Sequence, residues 1–194
     1  MSILYLEKEL LDHKLMANIQ KKYVGILGGS FDPVHKGHFS ISKIAIKKLN
    51  LKKIYWVITK KNPFKNKTFY SLNERVKLAK QISRTQRKIQ TIHLENIIKS
   101  PRTIDMINYF IRKKNIKNIY FIIGSDNLIR FHKWKSWKKI VKLVKLIVFS
   151  RRGYDRKGMK STVVKNFKNK IIFIKNKHIT ISSTQLKNQI SSNN

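Results

Sequence analysis

The sequence contains no cysteine. A disulfide framework, a cysteine-ligated zinc site and a cysteine nucleophile are therefore excluded. Carboxylates are scarce as well: nine acids stand against 44 Lys and Arg. They are Glu7, Glu9, Asp12, Asp32, Glu74, Glu95, Asp105, Asp126 and Asp155, and beyond the N-terminal dozen no two sit close together. A glycosidase-type acid pair or a carboxylate cage for a metal would have to be assembled from distant single acids. No protein-held metal site is expected. No apolar run reaches the roughly 20 residues that span a bilayer, and Met1 to Lys22 lacks the continuous apolar stretch of a signal peptide. A cytoplasmic protein without membrane association is the expectation. Two phosphate-binding signatures are also missing, the Gly-x-Gly-x-x-Gly fingerprint and the Gly-Lys-Ser/Thr loop, so hydride transfer and ordinary phosphate-loop kinase chemistry lose ground.

What is present is enough for one packed domain. The chain has 194 residues, of which 41% are apolar. That suits a single domain over residues 21–194, with residues 1–20 as an extension of no assigned role. The formal net charge is +35, which favours anionic ligands. The lysines are spread almost evenly from Lys8 to Lys187, in no single arm or face, so the charge supports anionic ligands in general and selects none. A homo-oligomer is left open.

Periodicity alternates between strand and helix. Tyr23 to Gly28 reads as a short buried strand. His38, Ile41, Ala45 and Leu49 then recur at helical spacing, and Ile54 to Thr59 is a second apolar run. Strand, helix, strand in about 35 residues is a βαβ unit with parallel strands. Ser71 and Glu74 form a capping box before a second helix. Lys88 to Leu94, Ile119 to Ile123, Lys145 to Phe149 and Ile171 to Ile174 are further strand candidates. Ser100-Pro101 predicts a helix start, with Ser as cap and Pro in the first helical position. Arg151 to Lys160 reads as a basic loop, and Ser182-Ser183-Thr184 precedes a last short helix. The sum is an α/β, Rossmann-like doubly wound parallel sheet flanked by helices.

Ligands of such sheets bind beyond the carboxyl ends of the strands. There the sequence places Gly28-Gly29-Ser30-Phe31-Asp32-Pro33-Val34-His35-Lys36-Gly37-His38. Two glycines after a strand let a ligand approach the backbone. His35 and His38, three apart at a helix start, share one face beside the positive end of the helix dipole. Two imidazole donors there form a receptor for phosphate. The alternative is a pair of capping or core histidines. A second hydroxyl-rich helix start, Ile181-Ser182-Ser183-Thr184, has Lys187 one turn further on. It would serve as a second phosphate cradle, or as an ordinary cap.

These two elements resemble the nucleotidylyltransferase superfamily. The middle of the chain narrows the resemblance to bacterial nicotinate-nucleotide adenylyltransferases: Asn62-Pro63-Phe64-Lys65, Ser100-Pro101-Arg102-Thr103-Ile104-Asp105, and Phe121 to Asn127 followed by Phe131-His132-Lys133-Trp134. The similarity runs from about Tyr23 to Asn188. There are two departures. Lys187 stands where the family has Arg, which keeps the charge and loses bidentate geometry. Arg102 stands where the family often has an aromatic residue.

The resemblance implies transfer of the adenylyl group of ATP to nicotinate mononucleotide, giving nicotinate adenine dinucleotide and pyrophosphate on the route to NAD. It implies that His35, His38 and Lys187 act at the reacting phosphates. Gly28, Gly29, Ser30, Phe31, Asp126, Ile181, Ser182, Ser183 and Thr184 would bind ATP, with Asp126 on the ribose or, alternatively, serving as a helix cap. Asn62, Lys65, Thr103 and Trp134 would bind the nicotinate nucleotide, with Trp134 under the pyridine ring unless it is ordinary core; Trp56 and Trp137 are expected in the core or at its rim. Mg²⁺ would be held through substrate phosphates. Two alternatives stay open: a transferase of the same fold acting on nicotinamide mononucleotide or another phosphate acceptor, and a non-catalytic basic protein that binds nucleic acid, a partner the intact histidine pair disfavours.

Overall fold

The computed structural model describes residues 23–60 and 68–176. Among the described residues six strands form one sheet, β1 (Val24–Gly29), β2 (Lys53–Ile58), β3 (Ile89–Ile92), β4 (Ile119–Gly124), β5 (Lys145–Phe149) and β6 (Ile171–Ile174). Their order is β3-β2-β1-β4-β5-β6, and every neighbouring pair is parallel. This is the doubly wound order, and the chain reverses direction across the sheet between β1 and β4. That boundary is where a ligand crevice opens.

Period-two alternation explains how one sheet builds two cores. Ile26, Val57, Phe121, Ile123, Leu146 and Val148 face one side, packed with Met106, Phe110, Leu128 and Ile140. Leu27, Trp56, Ile58, Ile122, Ile147 and Phe149 face the other, packed with Ala45 and Ala79. Helices α1 (Lys36–Lys48) and α2 (Leu72–Ser83) cover the second side. Helices α4 (Thr103–Lys113), α6 (Trp137–Leu143) and α8 (Thr162–Phe167) cover the first. No described helix is long and apolar enough to cross a membrane.

Each predicted strand is present within a residue or two. The Ser71–Glu74 capping box is closed: Ser71 Oγ accepts from the Glu74 N–H at 3.3 Å, and Glu74 Oε2 accepts from the Ser71 N–H at 2.8 Å. Two local expectations are corrected. The helix expected to begin at Pro101 begins at Thr103, with Arg102 as its cap residue. Ser100 is drawn off by its own loop, accepting from the Arg102 N–H at 3.2 Å and donating to Asp105 Oδ2 at 2.6 Å. The stretch read as a basic loop contains helix α7 (Asp155–Met159). Short α3 (Glu95–Ile98) and α5 (Ser125–Arg130) complete the framework. Residues 1–20 and the helix after Ser182 lie outside the described residues.

Candidate active site at the carboxyl edge of the sheet

The exit of β1 turns sharply into α1 through Ser30 to His35. Phe31 takes a left-handed backbone with φ of 47°, uncommon for a residue with a side chain. Its ring is buried, centred 4.6 Å from the His38 ring and 5.4 Å from Trp56. Phe31 therefore supports His38 from beneath, and its side chain is part of the core. Trp56 is buried as expected, and its Nε1 donates to Ser42 Oγ at 2.8 Å, tying β2 to α1.

The two histidines close the start of α1 reciprocally. The Gly37 N–H donates to His35 Nδ1 at 3.0 Å, and the His35 N–H donates to His38 Nδ1 at 3.3 Å. The capping alternative thus holds, and it does not compete with a catalytic one. Each Nδ1 is used as an acceptor, so each proton sits on Nε2. Neither Nε2 makes a hydrogen bond among the described residues. The rings lie 4.0 Å apart between centroids. Burial lowers the His35 pKa to about 4, with help from the positive charge of Arg151. His38 is also lowered well below its ordinary value, by burial first, then by His35 and Arg151. At neutral pH the site presents two uncharged N–H donors side by side.

Glycines leave this surface open. A Cβ on Gly28 or Gly29 would make only ordinary contact with Phe121 or Phe31, at 3.7 Å or more. Packing therefore does not demand glycine at either position, and Gly29 adjoins Phe31, whose ring packs on His38. At the exit of β4 the demand is different. A Cβ on Gly124 would lie 2.4 Å from Asp126 Oδ1. Asp126 is not a side-chain cap of α5. Its Oδ2 accepts from Arg151 Nη1 at 2.6 Å, while Oδ1 is buried with no partner.

Two buried ions that the sequence reading assigned no role set the loop geometry. Asp32 accepts from the N–H groups of Phe69 and Tyr70, each at 2.9 Å. Arg75 is buried on α2 and donates to four carbonyls: Ser30 and Thr59 at 2.7 Å, Lys60 at 2.8 Å and Tyr70 at 3.1 Å. Five rigid donors suit one guanidinium to such a task. Burial lowers its pKa, and the carboxylates of Asp32 and Glu95 oppose that. Glu95 Oε1 accepts from the Lys60 N–H at 2.9 Å, so the chain leaves β2 clamped on both sides. That exit leads into Asn62 and Lys65, which lie outside the described residues, as do Ile181, Ser182, Ser183, Thr184 and Lys187. Spacing gave no signal for Arg75 or Asp32, because their partners are up to 45 residues away.

The remaining predicted residues sit near the same edge. Thr103 opens α4, and no side chain caps that turn. Trp134 is partly buried, stacked on Phe131 at 4.8 Å and edge-on to Phe121 at 6.1 Å, with its Nε1 buried and unpartnered. Trp137 packs against Phe167 at the rim of the core. Among the described residues no group of three or more His, Asp or Glu could hold a metal ion. A divalent cation fits this donor set only if the ligand's own oxygens carry it.

A parallel doubly wound sheet with a neutral His-x-Gly-His pair at its switch point defines a nucleotide-binding α/β protein built to handle phosphate. The comparisons make this specific. The cytidylyltransferase-like family model matches residues 26–189, and the chain belongs to that family. A protein of Pelagibacter ubique named probable nicotinate-nucleotide adenylyltransferase is 49% identical over 171 residues, covering 88% of this chain and 94% of that protein. One of the same name from Clostridium novyi is 34% identical, covering 87% of each chain. In structure the chain is similar to the Plasmodium falciparum nicotinic acid mononucleotide adenylyltransferase complexed with NaAD. The TM-score is 0.68 at 22% identity, covering 86% of this chain and 83% of that one. This likeness supports the fold.

Proposed function

We propose that this protein transfers the adenylyl group of ATP to nicotinate mononucleotide, a step of NAD biosynthesis. The observation that carries the reading is the histidine pair: both Nδ1 atoms held by backbone N–H groups, both Nε2–H groups left for a ligand. The names of relatives that cover most of the chain supply the acceptor.

The chemistry follows from what the site lacks. The attacking group is a phosphate oxygen, already ionised, so no general base is needed. It forms a bond to the α-phosphorus of ATP, the bond to the β-phosphate bridging oxygen breaks, and pyrophosphate leaves. Charge builds on the α-phosphate oxygens, and His35 and His38 stabilise it as neutral donors in a partly dry site. Neutral donors hold substrate and product anions less tightly than cations would, which suits release. Magnesium would be carried by the triphosphate oxygens as part of the substrate. Asp126 Oδ1, buried and unpartnered, suits a ribose hydroxyl donor. Asn62, Lys65, Thr103 and Trp134 would take the nicotinate nucleotide, and Ile181 to Thr184 with Lys187 the leaving pyrophosphate. A cytoplasmic location is part of this reading.

Pyrophosphate release with Mg·ATP and either nicotinate or nicotinamide mononucleotide tests this. Release with the nicotinate substrate, lost in His35→Ala, is the expected result. A preference for the amide would reassign the acceptor, and no release with either would refute the reaction.

A further inference from the structure

The site has donors at its histidines but no charge on them, and a cation is built in from another strand. Arg151 follows β5, whose last residue Phe149 pairs with Gly124 at the end of β4. Its backbone is anchored twice: the N–H donates to Ser125 Oγ at 3.1 Å and to Asp155 Oδ1 at 2.9 Å. The same Asp155 accepts from the Ser150 hydroxyl. Ser125 is fully buried, and α7 presses on it through Gly158, where a Cβ would come within 3.1 Å of the Ser125 carbonyl oxygen. The guanidinium is half exposed, pairs with Asp126, and lies 5.8 Å from the Tyr154 ring centroid. One N–H of five is committed to Asp126. The pair thus offers a spare buried acceptor on Asp126 beside spare charged donors on Arg151. A nucleoside 5′-phosphate carries the complement: hydroxyl donors on the sugar and an anion esterified at its 5′ oxygen.

We propose that Arg151 is a further ATP-contacting residue, whose guanidinium, held by Asp126, donates to the oxygens of the α-phosphate under transfer. The field of Arg151 reaching both imidazoles agrees with this placement. The assignment rests on the proposed adenylyl transfer for its role in catalysis, though not for the binding it predicts.

AMP and adenosine differ by the α-phosphate alone, so their dissociation constants on the full chain form the test. Wild type, Arg151→Gln, Arg151→Lys and the neighbouring Arg152→Ala are compared. Arg151→Gln should weaken AMP by about ten- to a hundredfold and leave adenosine unchanged. Arg151→Lys should recover part of the loss, since it restores charge without the fork. Arg152→Ala should match wild type, which separates a specific contact from the general basic field. Equal weakening of AMP and adenosine by Arg151→Gln would overturn the proposal in favour of a sugar, base or folding role. Unchanged AMP binding would overturn it outright. Failure of wild type to release pyrophosphate would sink the adenylyl-transfer reading, and the AMP-to-adenosine ratio would still decide Arg151.

Discussion

The backbone N–H of His35 donates to Nδ1 of His38, 3.3 Å away. One imidazole thus orients the other's residue, and the cap that starts the helix also fixes the proton of His38 on the nitrogen facing out. Helix formation and tautomer choice are the same event here. A protonated His38 would carry hydrogen on Nδ1 and break the cap.

Removing either donor should be costly for turnover and mild for folding. His35→Ala and His38→Ala are expected to lower kcat for pyrophosphate release by about 10²- to 10³-fold. His35→Asn should retain more activity than Ala, because its amide oxygen can cap while its NH₂ donates. Steady-state rates at saturating Mg·ATP decide between them.

Proton linkage gives a second expectation. The unfolded imidazoles titrate near 6.5, whereas folded His35 titrates at about 4 and burial holds His38 well below its ordinary value. Between these values the unfolded chain binds more protons, so stability falls as pH drops from about 6.5 towards 4 and is fully present above 6.5. Urea midpoints measured from pH 8 to pH 4 should show this fall, and His35→Asn should flatten part of it. Activity should show no imidazole titration between pH 6 and 8.

Gly124→Ala should separate folding from ATP use. The new Cβ would lie 2.4 Å from Asp126 Oδ1, so the carboxylate must turn. Only the far end of a short side chain has to turn, and the melting temperature should move little. The displaced carboxylate would loosen the pair with Arg151, and KM for ATP should rise by roughly tenfold, the equivalent of one charge-assisted hydrogen bond.

Arg75 presents the reverse case. Arg75→Met should cost about 3 kcal/mol in urea unfolding, because four carbonyls lose their donor and Asp32 loses a nearby cation. The loops after β1 and β2 would slacken together, so acceptor KM should rise as well. Arg75→Lys should rescue little, since one ammonium cannot reach all four carbonyls.

Local pattern made much of this architecture legible. Apolar runs of strand length located every strand, because parallel strands are buried on both faces and read as continuous hydrophobic segments. The Ser71–Glu74 box was readable because its partners are three residues apart. Ser100 misled for the same reason: a hydroxyl before proline looks like a cap, and only the fold shows that Asp105 and the Arg102 N–H occupy it. Helix α7 was hidden in a run of arginines, lysines and glycines with no apolar period, and it forms where Gly158 fits against Ser125.

The sequence by itself determined the alternation of strands and helices, the place of the nucleotide crevice and the histidine pair in it, since these follow from periodicity and from spacings of a few residues. Tertiary structure alone decided which charges meet there. Arg75 reaches Ser30 across 45 residues and Arg151 reaches Asp126 across 25. Such pairs obey no local period; they exist because the sheet order brings the ends of distant strands side by side, and for buried Arg75 an unmatched charge would be too costly to leave alone.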